Sequence, residues 1–459
     1  MQNDHILIIG AGLCGSLLAV QMAKHGYKIS LVEKREDLRQ TDISAGRSIN
    51  LAFSDRGLKG IKRVGLEEKV VKLCIPMNGR MLHDAEGNTK LSAYSGREGE
   101  YINSISRSGL NAVLLDEAES FDNVKIHFQV SCEAVDLKNA KATIRNHNEE
   151  TFEIAADYVI GTDGAGSVVR QSMMKNKDLR FSFSQNFLTH GYKELSILPK
   201  NNKHQIFKNA LHIWPRGENM LIALPNLDGS FTVTLFLAYE GGKYNFNNLT
   251  NPTIVEEYFK TNYPDAFELM PHLKDEFFEN PTAALGTIRC HPWTTEKALI
   301  MGDAAHAIVP FYGQGMNASF EDVFEFDQIL TEQNHNIGLA FEKFSKNRKI
   351  DADGIADLAL DNFHEMKAHT AQELFLEKRK LELAFEKEFP EEYSSKYSLV
   401  TFNEEIGYHE AKTRGRAQDK VILYLLKEKV LSEKMTLKEK LNLVKKHVST
   451  YLKEEVISV

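Results

Sequence analysis

The first fifteen residues carry the feature that most restricts how this chain can fold. A short apolar run, HILIIG, leads directly into Gly10, Gly12 and Gly15, which have the spacing G-x-G-x-x-G. Such a run is typical of a strand buried in a parallel sheet. Glycines at this spacing permit a tight turn into a helix whose N-terminus can approach a pyrophosphate. The sequence therefore predicts a βαβ unit that binds a dinucleotide.

The residues after this turn complete the predicted unit. We expect an amphipathic helix at roughly residues 13–24 and a second strand at KISLVEK. Glu33 ends that strand, about 20 residues after the glycine turn. At this spacing a carboxylate can reach a ribose hydroxyl of the dinucleotide. The motif by itself does not distinguish NAD from FAD.

Composition restricts the partners and the compartment. The formal net charge of -8 argues against nucleic acid or an anionic membrane as the main partner, since both favour a basic surface. The sequence contains no apolar run of about 20 residues and no signal-peptide pattern at its start. Four widely spaced cysteines fit neither a disulfide framework nor a zinc site: Cys14, Cys74, Cys132 and Cys290. We therefore predict a cytoplasmic protein that spans no membrane and binds no metal.

The order of elements predicts an α/β fold in two interwoven domains. Residues 1–179 are predicted to form the first part of the dinucleotide domain. Within this range, the strands around 76–105 are predicted to belong to the second domain. Residues 180–290 alternate strands and turns, which predicts an antiparallel sheet for that second domain. Residues 291–340 return to the first domain, because KALIMG has the pattern of a buried parallel strand. Residues 341–459 are predicted to be helical, and two segments, VKIHFQVSCEAVDL and KATIRNHNEETFEI, are predicted to form a hairpin.

Two further turns follow predicted buried strands. Asp163 ends the run YVIGTD, with Arg170 in the helix after it; an alternative interpretation is a tight turn with an N-capping aspartate. Asp303 ends the run ALIMGD, where its carboxylate could accept hydrogen bonds from ribityl hydroxyls. Backbone N–H groups of residues 313–317 could then face a negatively charged ring oxygen at a helix start.

These three motifs, in this order and spacing, resemble the single-component flavoprotein aromatic hydroxylases. The resemblance implies a glutathione-reductase-like FAD-binding fold with an inserted antiparallel-sheet substrate domain and a C-terminal helical region. It also implies bound FAD and NADPH as co-substrate, without a separate nicotinamide domain. The cofactor-binding residues that it implies are Gly10, Gly12, Gly15, Glu33, Arg107, Asp163, Asp303, Gly315, Met316 and Asn317. Arg47 is expected close to the flavin and the nicotinamide path.

Six further segments resemble the branch of this family that hydroxylates L-kynurenine. They are GRSINLAFSDRG, GRMLHD, INSISR, PFYGQGMN, NFHEMKAH and GYHEAKTR. The resemblance implies a substrate pocket at Arg80, Tyr94, Asn362, Tyr408, Phe311 and Tyr312. A guanidinium can bind the substrate carboxylate in a bidentate manner. Taken alone, the arginine would be a surface residue and the aromatic residues ordinary half-buried or core side chains.

The implied reaction converts L-kynurenine, NADPH and O₂ to 3-hydroxy-L-kynurenine through a flavin C4a-hydroperoxide, in tryptophan degradation or NAD biosynthesis. Most of this chemistry belongs to the flavin, so no residue is assigned as acid or base. Two alternatives stay open: a hydroxylase of another aromatic acid, and a flavin-binding redox sensor without turnover. The tail ends in a charged helical pattern where mitochondrial relatives carry an apolar anchor. An oligomer is possible, and the last helical region is expected to cover the pocket.

Overall fold

The computed structural model describes residues 4–40, 50–368 and 373–457. The strands within these ranges are β1 His5–Ile9, β2 Lys28–Val32, β3 Asn50–Phe53, β4 Cys74–Met77, β5 Gly79–His83, β6 Thr89–Ala93, β7 Ile102–Ser106, β8 Val124–His127, β9 Val130–Asp136, β10 Lys141–Asn146, β11 Thr151–Ala155, β12 Tyr158–Gly161, β13 Ser182–Ile197, β14 Leu211–Arg216, β15 Asn219–Pro225, β16 Phe231–Ala238, β17 Thr282–His291 and β18 Ala298–Ile300.

The helices are α1 Leu13–Lys24, α2 Asp55–Arg63, α3 Glu67–Val71, α4 Arg107–Glu119, α5 Val168–Lys175, α6 Pro252–Asn262, α7 Pro264–Phe267, α8 Leu273–Glu279, α9 Asp303–His306, α10 Gly315–Glu332, α11 Ile337–Ala368, α12 Glu373–Glu388, α13 Lys396–Thr401, α14 Tyr408–Lys427 and α15 Leu437–Ile457. A short 3₁₀ turn spans Pro310–Tyr312.

A five-stranded parallel sheet in the order β18-β12-β1-β2-β8 forms the first layer. Its central strands consist of buried Ile, Leu and Val residues, as expected for a sheet covered on both faces. The sequence predictions for HILIIG, KISLVEK, YVIG and KALIM are confirmed. Strand β18 pairs directly with β12, so the chain returns to the first sheet after the inserted region.

Helix α1 has the predicted bounds, but the prediction that it is amphipathic is wrong. Every residue from Leu13 to Ala23 is buried. The reason is that α1 lies between the parallel sheet on one side and helices α4 and α10 on the other. A helix covered on all sides has no solvated face to carry polar residues.

The predicted hairpin at residues 124–154 is confirmed for its inner strands, since β9 and β10 pair antiparallel, but the two segments contain four strands and not two. Strand β8 joins the edge of the parallel sheet beside β2, and the chain then enters a separate three-stranded antiparallel sheet, β11-β10-β9. Gln129 lies at the break with φ 57°, in the left-handed region that redirects the backbone. The continuous β pattern of the sequence does not mark such a change of sheet.

A seven-stranded sheet in the order β17-β13-β16-β15-β14-β5-β6 forms the second layer. The predicted antiparallel pairings of β14, β15 and β16 are confirmed, but β14 pairs with β5 in parallel. Side chains alternate between its two faces: Leu235 packs under helices α6 to α8, and Phe236 faces the side that also holds Phe311 and Tyr312. The division into domains remains a prediction.

The described part of residues 341–459 is mainly helical, as predicted. Helix α10 lies against α1 and α2, α11 packs on α14, and α13 packs on the same helix. The charged tail forms α15, which buries Leu441 and Val444 against this helical group. None of the helices in the described ranges combines the length and the apolar character needed to cross a bilayer.

Helices α2 and α10 cross at such short distance that Gly60 has no room for a side chain. A Cβ built on Gly60 would lie 2.9 Å from the carbonyl oxygen of Phe320. We predict that Gly60→Ala lowers the free energy of unfolding by about 1 to 3 kcal/mol through overpacking, even though alanine favours helix. The thermal unfolding midpoint measures this loss.

Gly338→Ala is the matched control, since a Cβ on Gly338 would approach no described atom closer than 3.6 Å. Its midpoint should stay unchanged or rise. Equal midpoints for the two variants would contradict the close-packed crossing.

Candidate active site

Three glycine-containing turns meet at the carboxyl ends of three adjacent strands, β1, β12 and β18. A Cβ on Gly10 would lie 2.8 Å from Cα of Asp163, so the first and second turns touch. Gly302 has φ +59° and lies between Cys14 of α1 and Ser319 of α10, and a Cβ added to it would lie 3.1 Å from a side-chain atom of each. The carboxyl edge of such a sheet is where ligands of open α/β folds bind.

The glycines of the first turn have different structural roles. A Cβ on Gly15 would lie 1.9 Å from the carbonyl oxygen of Gly10, so this position must be glycine for the turn to pack. A Cβ on Gly12, in contrast, would have no atom within 4 Å. Gly12 precedes α1, whose N-terminus has no side-chain cap and no acidic residue in its first turn. This arrangement leaves an uncapped helix N-terminus that suits an anion.

Glu33 lies beside the same helix start. Its Oε2 accepts a hydrogen bond from the backbone N–H of Ala11 at 3.0 Å, and its Oε1 accepts one from the N–H of Arg35. The carboxylate is therefore held at the carboxyl end of β2, next to the turn. This is the position expected of a group that binds a ribose hydroxyl.

Asp163 combines a structural contact with an unsatisfied atom. Its Oδ2 accepts from the N–H of Val168 at 2.7 Å, in agreement with the alternative interpretation as a helix-capping aspartate. Its Oδ1 is buried without a hydrogen-bond partner among the described residues. Burial raises the pKa of this carboxyl group. The buried guanidinium of Arg170 donates to the carbonyl of Ala304 at 2.7 Å and so joins α5 to α9.

Asp303 is the first residue of α9 and does not belong to the preceding strand, since Gly302 separates them. Its side chain keeps access to solvent, although the surrounding protein desolvates the carboxylate. Burial raises the pKa of Asp303, and the charges of His306 and Arg107 oppose this rise. Arg107 begins α4 and is exposed on the same cleft. Arg47 lies outside the described residues.

A second helix N-terminus faces the cleft at α10. Gln314 precedes this helix, which has no side-chain cap, so the first N–H groups, those of Gly315, Met316 and Asn317, have no intrahelical acceptor. The side chain of Asn317 is already used, since its amide donates to the carbonyl oxygens of Ala52 and Gly313, both at 2.9 Å. Any ligand contact from Asn317 would therefore come from its backbone.

A cluster of one arginine and three tyrosines lies beside the 3₁₀ turn. The guanidinium carbon of Arg80 is 4.4 Å from the ring centre of Tyr397 and 5.3 Å from that of Tyr94. Tyr397 stacks between Tyr94 and Tyr312, with both ring centres 5.6 Å away. Burial raises the pKa values of Tyr94 and Tyr312, so both hydroxyls are protonated near neutral pH. We refer to these four residues as the arginine–tyrosine cluster.

Tyr397 is the residue that the sequence interpretation missed. It is the second residue of α13, a short helix capped by Ser395, whose hydroxyl accepts from the N–H of Ser398. The sequence signal for this helix, SSKYSLV, has a serine at the N-cap position but carries no motif of chemistry.

Phe311 and Asn362 meet next to this cluster. The amide of Asn362 donates to the carbonyl oxygen of Phe311 at 2.6 Å. The Phe311 ring lies 4.7 Å from that of Phe363 and 5.0 Å from that of Phe236. The turn at Phe311 is therefore lined by aromatic rings from α11 and from the seven-stranded sheet.

Tyr408 lies elsewhere. Its ring stacks against the guanidinium of Arg56 at 4.2 Å, and its hydroxyl donates to Oε1 of Gln314 at 3.0 Å. No contact between Tyr408 and Arg80 occurs within the described part of the chain. The structure thus groups Arg80, Tyr94 and Tyr312 with Tyr397, and it places Tyr408 behind the start of α10.

The chemistry of the cleft suits an extended dinucleotide. Two uncapped helix N-termini face it, and Gly12 leaves space for backbone contact with a pyrophosphate. Glu33 and Asp303 supply carboxylates at separate places along the cleft, and the Oδ1 atom of Asp163 supplies a buried acceptor. These donors and acceptors fit the hydroxyls and phosphates of FAD.

Comparison with known proteins agrees with this fit. The sequence profile of the FAD binding domain family matches residues 4–335. A relative named kynurenine 3-monooxygenase from Dictyostelium discoideum is 42% identical over 93% of this chain and 94% of its own. One of the same name from Myxococcus xanthus (strain DK1622) is 40% identical over 99% and 97%.

A solved structure, the tetrameric form of 2-methyl-3-hydroxypyridine-5-carboxylic acid oxygenase, has a TM-score of 0.65 at 18% identity, covering 84% of this chain and 98% of that one. Such a likeness shows a shared fold. Fold, cleft and family profile define an FAD-binding flavoprotein, which confirms the predicted fold class and cofactor. Within that class, the chain belongs to the kynurenine 3-monooxygenase family.

We predict that Gly12→Val folds but binds FAD at least about tenfold more weakly, because the valine side chain would occupy the space needed by the pyrophosphate. The apoprotein should keep its thermal midpoint, since the new Cβ meets no described atom. Gly15→Ala, in contrast, should disturb folding itself. Flavin fluorescence titration and thermal unfolding measure the two effects, and wild-type FAD affinity in Gly12→Val would exclude this turn from the cofactor site.

Proposed function

We propose that this protein hydroxylates L-kynurenine to 3-hydroxy-L-kynurenine, using NADPH and O₂ with bound FAD. The observation that carries the proposal is the arginine–tyrosine cluster: a half-buried guanidinium beside tyrosine rings, of which Tyr312 lies just before the N-terminus of α10. Membership of the kynurenine 3-monooxygenase family supports the identity of the substrate.

Arg80 is proposed to bind the α-carboxylate of the substrate. A charge in a buried pocket needs a partner of opposite charge, and a guanidinium can pair with a carboxylate through two parallel hydrogen bonds. Tyr94 is 1% exposed, and its hydroxyl has no hydrogen-bond partner among the described residues. A bound carboxylate would supply the acceptor that this hydroxyl lacks. Tyr397, rather than Tyr408, is proposed as the third member of this polar end.

The aromatic ring of the substrate is proposed to lie against Phe311 and Tyr312. These two residues are separated from Gly315 by only two residues, so the wall of the pocket and the N-terminus of α10 belong to one stretch of chain. Asn362 fixes this stretch through the carbonyl of Phe311. The rings around it keep water away from the reacting carbon.

FAD, when bound, supplies the redox chemistry by accepting hydride from NADPH and activating O₂. The residues of the chain bind and orient the substrate, and they exclude water. The amino group on the kynurenine ring already donates electrons to the carbon that is hydroxylated, so a strong protein base next to the ring is not required. The proposed cofactor contacts are Gly10, Gly12, Gly15, Glu33, Arg107, Asp163, Asp303, Gly315, Met316 and Asn317.

We propose that the protein works in the cytoplasm. Its four cysteines are free thiols, as is usual in a reducing compartment. The proposed partners are the small molecules of the reaction: L-kynurenine, NADPH and O₂.

The direct test compares substrates with the purified, FAD-loaded protein. L-Kynurenine should accelerate NADPH oxidation and yield 3-hydroxykynurenine, identified by mass spectrometry. Salicylate and 4-hydroxybenzoate should give no hydroxylated product. Product from either of these acids and none from kynurenine would show that the substrate belongs to another class.

Replacing Arg80 should remove substrate binding selectively. We predict that Arg80→Met raises the Kd for kynurenine at least about a hundredfold, since truncation leaves the buried carboxylate without its cation. FAD should stay bound, because Arg80 lies outside the glycine turns.

Arg216→Met is the matched control. Arg216 is also half-buried in the same sheet, with its guanidinium carbon 5.5 Å from a tyrosine ring, but its donors are used by carbonyl groups such as that of Asn262. Its Kd for kynurenine should remain close to that of the wild type. Unchanged affinity in Arg80→Met would remove Arg80 from the site.

A further inference from the structure

Arg56 is an arginine without any access to solvent. It is the second residue of α2 and is 0% exposed. Its Nη1 donates to Oε1 of Glu321 on α10 at 2.7 Å. Its Nε donates to the carbonyl oxygen of Val400 at 2.7 Å, and its Nη2 donates to that of Ile406 at 2.8 Å. One guanidinium therefore joins α2, α10, α13 and the loop that leads to α14.

Tyr408 extends this contact to the cofactor cleft. Its ring lies between two guanidinium groups, with Arg56 at 4.2 Å and Arg348 at 5.7 Å from the ring centre. Its hydroxyl donates to Gln314, the residue that precedes the first turn of α10. Burial raises the pKa of Tyr408, so the hydroxyl keeps its proton and remains a donor.

The other end of this connection is the arginine–tyrosine cluster. Tyr397 belongs to the same short helix as Val400, whose carbonyl accepts from Arg56. On the opposite side, Lys396 pairs with Asp419 of α14 at 2.6 Å. Helix α13 is thus held at both ends by buried charges, and its position determines where the Tyr397 ring lies.

The N-terminus of α2 also packs directly against the N-terminus of α10. The backbone N–H of Ser54 donates to Oδ1 of Asn317 at 3.0 Å, and a Cβ on Gly57 would lie 2.3 Å from the same oxygen. Any displacement of α2 would therefore reach the helix N-terminus in the cleft. The two helix N-termini are close-packed, with no space for one to move independently of the other.

We propose that Arg56 and Tyr408 are positioning residues that connect Tyr397 of the arginine–tyrosine cluster to the α10 N-terminus in the cofactor cleft. A substrate that fixes the Tyr397 ring also fixes the position of α13. Arg56 and Tyr408 then pass this constraint to the turn at Gln314, which is proposed to lie against the flavin. Occupancy of the substrate site then controls the geometry of the flavin site. This inference rests on the proposed function.

Tyr408→Phe tests the connection with the smallest change, because it removes only the hydrogen bond to Gln314. The readout is the ratio of NADPH oxidation rates at saturating kynurenine and without kynurenine. We expect this ratio to fall about five- to tenfold, the effect of losing one buried hydrogen bond. Tyr263→Phe is the control, since Tyr263 is equally buried and donates to Asn219 on the far face of the sheet. Its ratio should remain that of the wild type.

Arg56→Lys provides an independent second variant. A lysine keeps the charge, but its single ammonium group cannot reach Glu321, Val400 and Ile406 together, so the same ratio should fall by at least tenfold. Arg63→Lys, on the same helix, is the control, because Arg63 is half-exposed and its one ion pair within the described ranges is with Asp327 at 2.6 Å. If Arg56→Lys fails to fold, the Tyr408→Phe measurement decides.

The outcomes separate the two proposals. A reduced ratio in Tyr408→Phe, with FAD content and thermal midpoint equal to those of Tyr263→Phe, supports the positioning role. A ratio within twofold of the wild type overturns it, even where stability falls, because a purely structural role would change stability alone. A wild-type protein that kynurenine does not stimulate would instead refute the proposed function.

Discussion

Two adjacent buried carboxylates on α10, Glu321 and Asp322, hold the centre of this structure together. Glu321 pairs with Arg348 and Arg56, both at 2.7 Å. Asp322 pairs with Arg348 at 2.7 Å and with His306 at 2.6 Å, and it also accepts from the N–H of Gly302 at 2.9 Å. Burial alone would raise the pKa values of both carboxyl groups, but the arginines and the hydrogen bond between His306 and Asp322 lower them. Since removing one partner would leave a buried charge uncompensated, each element requires the others in place.

This charge network links the cofactor cleft to the arginine–tyrosine cluster. Gly302 belongs to the turn that faces the cleft, and Arg56 reaches the helix of Tyr397. The C-terminal helices are therefore tied to the first sheet by buried ion pairs as well as by apolar contact. Such pairs contribute little net stability, but they fix a single relative position of the elements they join.

Sequence analysis predicted the features that depend on local pattern. The apolar runs of β1 and β12 and the spacing of Gly10, Gly12 and Gly15 located the cleft, because a strand and a tight turn are encoded by neighbouring residues. The burial of α1 on all sides and the transfer of the chain from β8 to a separate sheet depend on distant packing, and the sequence does not encode them locally. The same holds for Tyr397: it joins the cluster because α13 lies against Arg80, more than three hundred residues earlier in the chain.

We expect FAD, O₂ and kynurenine to meet in one enclosed site formed by this chain. The most direct measurement supplies the purified protein with FAD, NADPH, L-kynurenine and ¹⁸O₂ and follows the isotope by mass spectrometry. The expected product is 3-hydroxykynurenine that carries the heavy oxygen. NADPH consumption that yields hydrogen peroxide without hydroxylated kynurenine, or a product whose oxygen comes from water, would contradict this expectation.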